Sequence, residues 1–265
     1  MSGGVTINLA QKVVLVTRPE HQASEFMQQI EAHGGKAISF PTIEIRPVES
    51  DTALIDKLTK INSYNMLIFI SANAVNYCVK LLQALKIDSQ EIQSKIAVIG
   101  KATNAAATSA GFNVSIKPSN GFNSEALLKL TELQHEEVQS KSILIVRGVG
   151  GLEQLPDMLT KRGAIVSFAE VYERRVPLND VQVKRQQLSH NWTELAISDV
   201  TVTSNESLQN LYDMLETPAR SEMLNAHLIV PSQRCAQLAR QLGFKTFSVA
   251  KSAGNQHMIE AIATI

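Results

Sequence analysis

Several things are scarce in this 265-residue chain, and each scarcity narrows what it can be. There are two cysteines, Cys78 and Cys235, far apart and each in a helix-like segment. They suggest buried thiols in a reducing compartment and exclude a disulfide framework. Neither has a histidine nearby in a recognisable nucleophile arrangement. The formal net charge is zero, with 25 basic and 25 acidic residues. A general nucleic-acid binder carries a basic excess, so that class is set aside. No apolar run approaches the ~20 residues a membrane span needs. The start, MSGGVTINLAQK, lacks the basic stretch and apolar core of a signal peptide. The expectation is a cytoplasmic protein with no membrane partner.

Chemical signatures are scarce too. No G-x-x-x-x-G-K-[ST] occurs, so no P-loop is expected. RGVGGLEQL, Arg147 to Leu155, begins like a dinucleotide loop, but Glu153 stands where the third glycine belongs. A carboxylate there would repel a pyrophosphate. G-x-S-x-G is absent, and with it a hydrolase nucleophile elbow. The histidines are scattered, none paired at metal-ligand spacing, so no metal is expected.

What the chain does have is alternation. Short apolar, β-branched runs (KVVLVT, MLIFI, KIAVIG, SILIVR, VTVTS, HLIVP, TFSVA) are each followed by a helical pattern. Strands apolar on both faces that alternate with helices predict parallel sheets in an α/β fold. Pro41, in the extended segment Lys36 to Ile45, argues against a central strand position there.

The two halves also repeat. VVLVTR…EAHGGKAISFPTIE resembles SILIVR…TKRGAIVSFAEVYE, LIFISANAV resembles VTVTSNESL, and AVIGKATNAAATSAGF resembles LIVPSQRCAQLARQLGF. Arg18 aligns with Arg147 and Gly35 with Gly163. The order A-B-C, A′-B′-C′ predicts two similar α/β units of duplicated origin.

In open parallel sheets, ligands bind outside the carboxyl ends of the strands. The residues there are rich in hydroxyls, amides and cations: Arg18, Ser71, Ala72, Asn73, Lys101, Thr103, Arg147, Thr203, Ser204 and Ser232. Ser71 and Asn73 can cap a helix, and the free N–H groups of a helix start form an anion site. Repeated loops of this kind point to a large polyanion. Tyr172, in VYERR, adds a phenol that is protonated at neutral pH and able to donate to a leaving hydroxyl.

Taken in order, VTRP, SFPTIEI, FISANAV, IGKAT, RGVGGLEQL, GAIVSFAEVYERR, VTVTSNESL and GNQHMIEAI resemble the uroporphyrinogen-III synthase family over nearly the whole chain. Two positions depart from the family's habit: Ile70 replaces a frequent Thr, and Leu152 a frequent Arg.

The resemblance implies two similar flavodoxin-like lobes with parallel sheets, joined by a two-stranded linker, with substrate between them. Lobe 1 is expected at 1–37 plus 176–265 and lobe 2 at 46–164, with 38–45 and 165–175 as linker strands. The implied substrate is hydroxymethylbilane, a linear tetrapyrrole bearing carboxylates, handed over from hydroxymethylbilane synthase. The implied reaction is loss of water and closure with inversion of ring D through a spiro intermediate. No cofactor is implied, because the pyrrole itself expels the hydroxyl. Tyr172 is the expected proton donor, and the strand-end residues named above the carboxylate contacts. Arg18 and Arg147 either contact substrate or brace their loops. A monomer is expected, since no long exposed apolar helix face is evident.

Two readings of other classes remain open on the residues alone. One is a non-catalytic two-lobe small-molecule binding module, which a duplicated α/β chain also suits. The other is a nucleotide-sugar or phosphate enzyme using RGVGG.

Overall fold

A computed structural model describes residues 7–49, 51–121, 123–177, 188 and 191–264. The chain divides into two compact units, Met1–Glu44 with Arg175–Ile265, and Ile45–Arg174. Each is an α/β unit with its own sheet.

In the first unit, β1 (Val13–Val16), β2 (Lys36–Ser39), β9 (Asp199–Thr201), β10 (His227–Val230) and β11 (Thr246–Val249) form a sheet of order β11-β10-β9-β1-β2. All four pairings are parallel. In the second, β3 (Glu44–Pro47), β4 (Met66–Phe69), β5 (Lys95–Val98), β6 (Val114–Ile116), β7 (Ser142–Gly148) and β8 (Ile165–Arg175) lie in the order β3-β8-β7-β4-β5-β6. Taking each unit as first motif, second motif, third motif gives one spatial order, 2-1-3-4-5. This is the flavodoxin-like order. The first unit is built from A, B′ and C′; the second is built from A′, B and C, with β3 added at the edge. Residues 165–175 are a full sheet strand, paired with β7 from Ser142↔Ile165 to Gly148↔Tyr172. The segment 38–45 is not one strand: β2 ends at Ser39 and β3 begins at Glu44. Pro41 lies in the break, and β2 is an edge strand.

The helices follow the same plan: α1 (Glu20–Ala32), α2 (Thr52–Thr59), α3 (Ala72–Ala84), α4 (Lys101–Ser109), α5 (Ser124–Leu128), α6 (His135–Val138) and α7 (Gln154–Lys161), then α8 (Asn205–Met214), α9 (Ala219–Asn225), α10 (Gln233–Leu242) and α11 (Asn255–Ala263). The duplication is visible in the backbone, with one correction. The helices of A and A′ end in a residue at positive φ, and these are Gly34 (+87°) and Gly163 (+85°), not Gly35. The next N–H in each reaches back to the helix, Gly35 to Ile30 O and Ala164 to Leu159 O, both 3.1 Å. Gly35 is the close-packed neighbour instead. A Cβ on it would lie 2.9 Å from Ile30 Cγ2.

Why the strands are apolar throughout is plain from the packing. Along β1, Leu15 joins one buried cluster while Val14 and Val16 join another. Along β4, Leu67 and Phe69 go one way, Met66 and Ile68 the other. Alternate residues point to opposite faces, and helices cover both. Cys78 and Cys235 sit in these clusters. Burial pushes the Cys78 thiol up to about 12 and the Cys235 thiol up to about 11. We therefore expect the native protein to take up no iodoacetamide at pH 8, and the urea-unfolded chain to take up one group at each cysteine, by intact mass. Rapid labelling of the folded protein would show that one of these helices opens.

In the first unit a chain of hydroxyls is buried at the carboxyl end of β1. Thr17 Oγ1 donates to Thr201 O (2.7 Å) and lies 2.9 Å from Ser207 Oγ, which is 2.8 Å from Thr42 Oγ1. Asn210 Nδ2 donates to Thr42 O at 3.0 Å. Each member has a partner, as buried polar groups require. Together they fix the segment after β2 just before the chain leaves this unit.

Candidate active site

The serines after the strands do cap helices. Ser71, Ser204 and Ser232 each have extended backbone, and each side chain accepts a backbone N–H three residues on: Ala74 (3.0 Å), Ser207 (3.0 Å) and Cys235 (3.3 Å). The two N–H groups in between have no partner within the helix. At Ser71 and Ser232 they belong to Ala72 and Asn73, and to Gln233 and Arg234. With the positive end of the helix dipole, each pair suits a carboxylate. Ser71, Ala72, Asn73, Thr203 and Ser204 are half-buried, while Ser232 is exposed. α4 starts differently: Gly100 caps it without a side chain, Lys101 is exposed and Thr103 is buried. Thr103 thus faces the protein interior rather than open solvent.

Tyr172 is 3% exposed. Its placement depends on an irregularity that spacing does not reveal. Arg147 pairs with Glu170, but the next residue, Gly148, pairs with Tyr172, so Val171 is an extra residue in β8. Such a bulge re-aims the side chain that follows it. Consecutive Val171 and Tyr172 both join the same apolar cluster. The phenol oxygen then lies 3.1 Å from Ser71 Oγ, at the start of α3. Tyr77 of α3 stacks on the ring, with centroids 5.8 Å apart and planes at 26°. Gly148 lies against the hydroxyl end of the ring. Tyr172 and Ser71 are 101 residues apart in the chain and form one polar pair in the second unit.

The two arginines are engaged by the protein itself. Arg147 Nε donates to Glu170 Oε1 (3.2 Å) and Nη1 to Glu153 Oε1 (3.0 Å), and its guanidinium lies over Phe168 at 3.9 Å. Two carboxylates already answer its charge, and it holds the loop after β7. Glu153, which spoils the dinucleotide pattern, is thus a structural partner. Arg18 is buried in the other unit. Its Nη1 donates to Asn255 Oδ1 and Nη2 to Ala253 O (2.9 Å), and it stacks over Phe26 at 4.2 Å. Burial pulls its pKa below the ordinary value, with Glu25 opposing. Among the described residues its Nε has no hydrogen-bond partner.

In the loop after β7, Val149 is 53% and Leu152 85% exposed. This apolar surface, beside Gly148, belongs to the RGVGGLEQL segment. Among the described residues no group of three or more His, Cys, Asp or Glu could hold a metal ion. Among the same residues no helix is long and apolar enough to cross a membrane.

A family model described as uroporphyrinogen-III synthase HemD matches residues 24–260. The chain is 32% identical to the uroporphyrinogen-III synthase of Escherichia coli over 250 residues, covering 94% of this chain and 99% of that one. It is 33% identical to the enzyme of Salmonella typhimurium over 253 residues, with the same coverage. The chain belongs to the uroporphyrinogen-III synthase family. Solved structures agree on the fold. A synthase from Thermus thermophilus superposes with a TM-score of 0.61 at 14% identity, covering 94% of this chain and 96% of that one. One from Helicobacter pylori gives 0.60 at 17% identity, covering 94% and 97%.

Of the residues expected from sequence, the second unit brings Ser71, Ala72, Asn73 and Tyr172 together. It places Lys101 and Thr103 at the next helix start. The first unit holds Arg18, Thr203, Ser204 and Ser232 at its own strand ends. Sequence reasoning missed Tyr77 and the carboxylate partners of Arg147. Tyr77 could have been suspected from its place on α3, one and a half turns past the capping serine. Nothing in the sequence pairs it with Tyr172.

Proposed function

We propose that this protein is a working uroporphyrinogen-III synthase in which Tyr172 is the proton donor. The observation that carries the residue role is the phenol held 3.1 Å from Ser71 Oγ where α3 begins. Ser71 Oγ also accepts the Ala74 N–H, so its own hydrogen is free to point at the phenol oxygen. The phenol proton is then left for the substrate. Hydroxymethylbilane carries its carbinol on the terminal pyrrole at the end opposite ring D. Tyr172 gives its proton to the departing hydroxyl, which leaves as water, and the electron-rich pyrrole becomes an azafulvene cation. Attack at the substituted carbon of ring D gives the spiro intermediate. Reopening and closure invert the ring, and the proton lost at the end restores the phenol.

The remaining work is geometric. The pyrrole chain closes without inversion when left alone, so the protein must hold ring D with its substituted carbon presented first. In the second unit the N–H pair behind Ser71 takes a substrate carboxylate, with Lys101 at the next helix start; in the first unit the pair behind Ser232 does so, with Thr203 and Ser204 as further donors. Neutral donors suit this task, since each bonds an anion without a buried countercharge to desolvate. Val149 and Leu152 give apolar surface for a pyrrole ring. Arg18 and Arg147 brace loops, because each holds two or more groups of its own unit: Arg18 Asn255 and Ala253, Arg147 Glu153 and Glu170. Thr103, being buried, supports the start of α4.

The test is the product isomer. Hydroxymethylbilane is generated in situ, the protein is added, and the porphyrins are oxidised and separated. Predominant isomer III is expected. Isomer I alone, from folded protein, would remove the synthase assignment.

A further inference from the structure

We propose that Tyr77 is a positioning residue for this reaction, orienting the Tyr172 phenol toward the substrate's carbinol. The inference rests on the proton-donor reading above. α3 grips Tyr172 at two points: its capping residue Ser71 holds the phenol oxygen at 3.1 Å, and Tyr77 faces the ring with planes at 26°. Tyr77 is itself tied down. Its hydroxyl donates to Ile45 O of β3 at 2.8 Å. A tyrosine has two side-chain torsions, and a hydrogen bond at its far end leaves neither free. The ring is thus a fixed wall, and Tyr172 cannot swing away from Ser71 without meeting it. Gly148, against the hydroxyl end, limits the phenol at a second point, since a Cβ there would lie 2.6 Å from ring carbons Cε2 and Cζ.

The role predicts a particular kinetic signature. Tyr77→Leu removes both the stack and the tie to Ile45. Its kcat for isomer III should fall roughly 10-fold while KM stays within about 2-fold, the pattern of an interaction that matters in the transition state. Tyr77→Phe keeps the stack and should lose only about 3-fold. The deciding comparison repeats both changes on Tyr172→Phe. With no phenol proton left to aim, Tyr77→Leu and Tyr77→Phe should each cost less than about 2-fold there. Equal losses in both backgrounds would mean that Tyr77 acts through the fold alone, and the proposal fails. It fails also if Tyr77→Leu keeps wild-type kcat. If Tyr77→Leu does not fold, the Tyr77→Phe pair carries the same comparison. An unchanged kcat in Tyr172→Phe by itself would instead overturn the proton-donor reading, and the positioning role with it.

Discussion

Tyr172→Phe lowers kcat for isomer III formation by about 10- to 100-fold, at or below the low end of what a positioned general acid contributes. The low end applies because the pyrrole supplies most of the driving force for losing the hydroxyl. The change removes one oxygen and keeps the ring, its stack on Tyr77 and its contact with Gly148. KM and product affinity therefore stay near wild type. The lost bond to Ser71 costs about 1 kcal/mol of stability, visible as a small fall in the urea midpoint. Slower turnover also lets spontaneous closure compete, so the isomer I fraction rises at low enzyme concentration. The measurement is single-turnover kinetics with isomer separation. Wild-type turnover in this variant would make Tyr172 a packing residue and leave water as the acid.

Gly148→Ala should be the more damaging change. Its methyl would stand 2.6 Å from two ring carbons of Tyr172 and 3.1 Å from the phenol oxygen. The ring has little room to yield, being buried, stacked on Tyr77 and bonded to Ser71. Overpacking of this kind costs about 1–3 kcal/mol. Moving the phenol by an ångström costs roughly 100-fold in rate, as misplaced catalytic groups do. A double-mutant cycle identifies the cause. On Tyr172→Ala the space is empty, so Gly148→Ala should cost almost no stability, measured by urea unfolding. An undiminished penalty there would place the strain in the β7 backbone and not at Tyr172.

Both variants probe contacts that the amino-acid order conceals, whereas much of the architecture was open to reading. The α/β class followed from runs such as Val13–Val16 and Met66–Phe69, because a strand covered by helices on both faces has no polar side to show. The duplication followed from landmarks with backbone causes. Helices of A and A′ end at a residue with positive φ, and glycine marks the place in both. Even so the pairing was off by one, Gly35 for Gly34, since two adjacent glycines look alike until φ is known. The capping role of Ser71 was legible too, because a serine between an apolar run and a helical pattern satisfies donors that the helix cannot, whereas Asn73, read as a second cap, lies inside α3.

The roles of individual charges were not legible. Arg18 and Arg147 stand at strand ends and read equally as ligand contacts or braces. Only the structure puts Glu153 and Glu170 beside Arg147, and Asn255 and Ala253 beside Arg18. Thr103 read as a surface contact and is buried. The sequence by itself determined the fold class, the repeat, the family and the donor-rich character of the strand ends. These depend on local periodicity and on residue types that the backbone demands. The tertiary structure alone decided what Tyr172 meets. One extra residue in β8 turns the ring onto α3, and the partners Ser71, Tyr77 and Gly148 arrive from strands and helices that only the sheet order brings alongside. A bulge has no sequence period, and a contact across 101 residues leaves no local pattern.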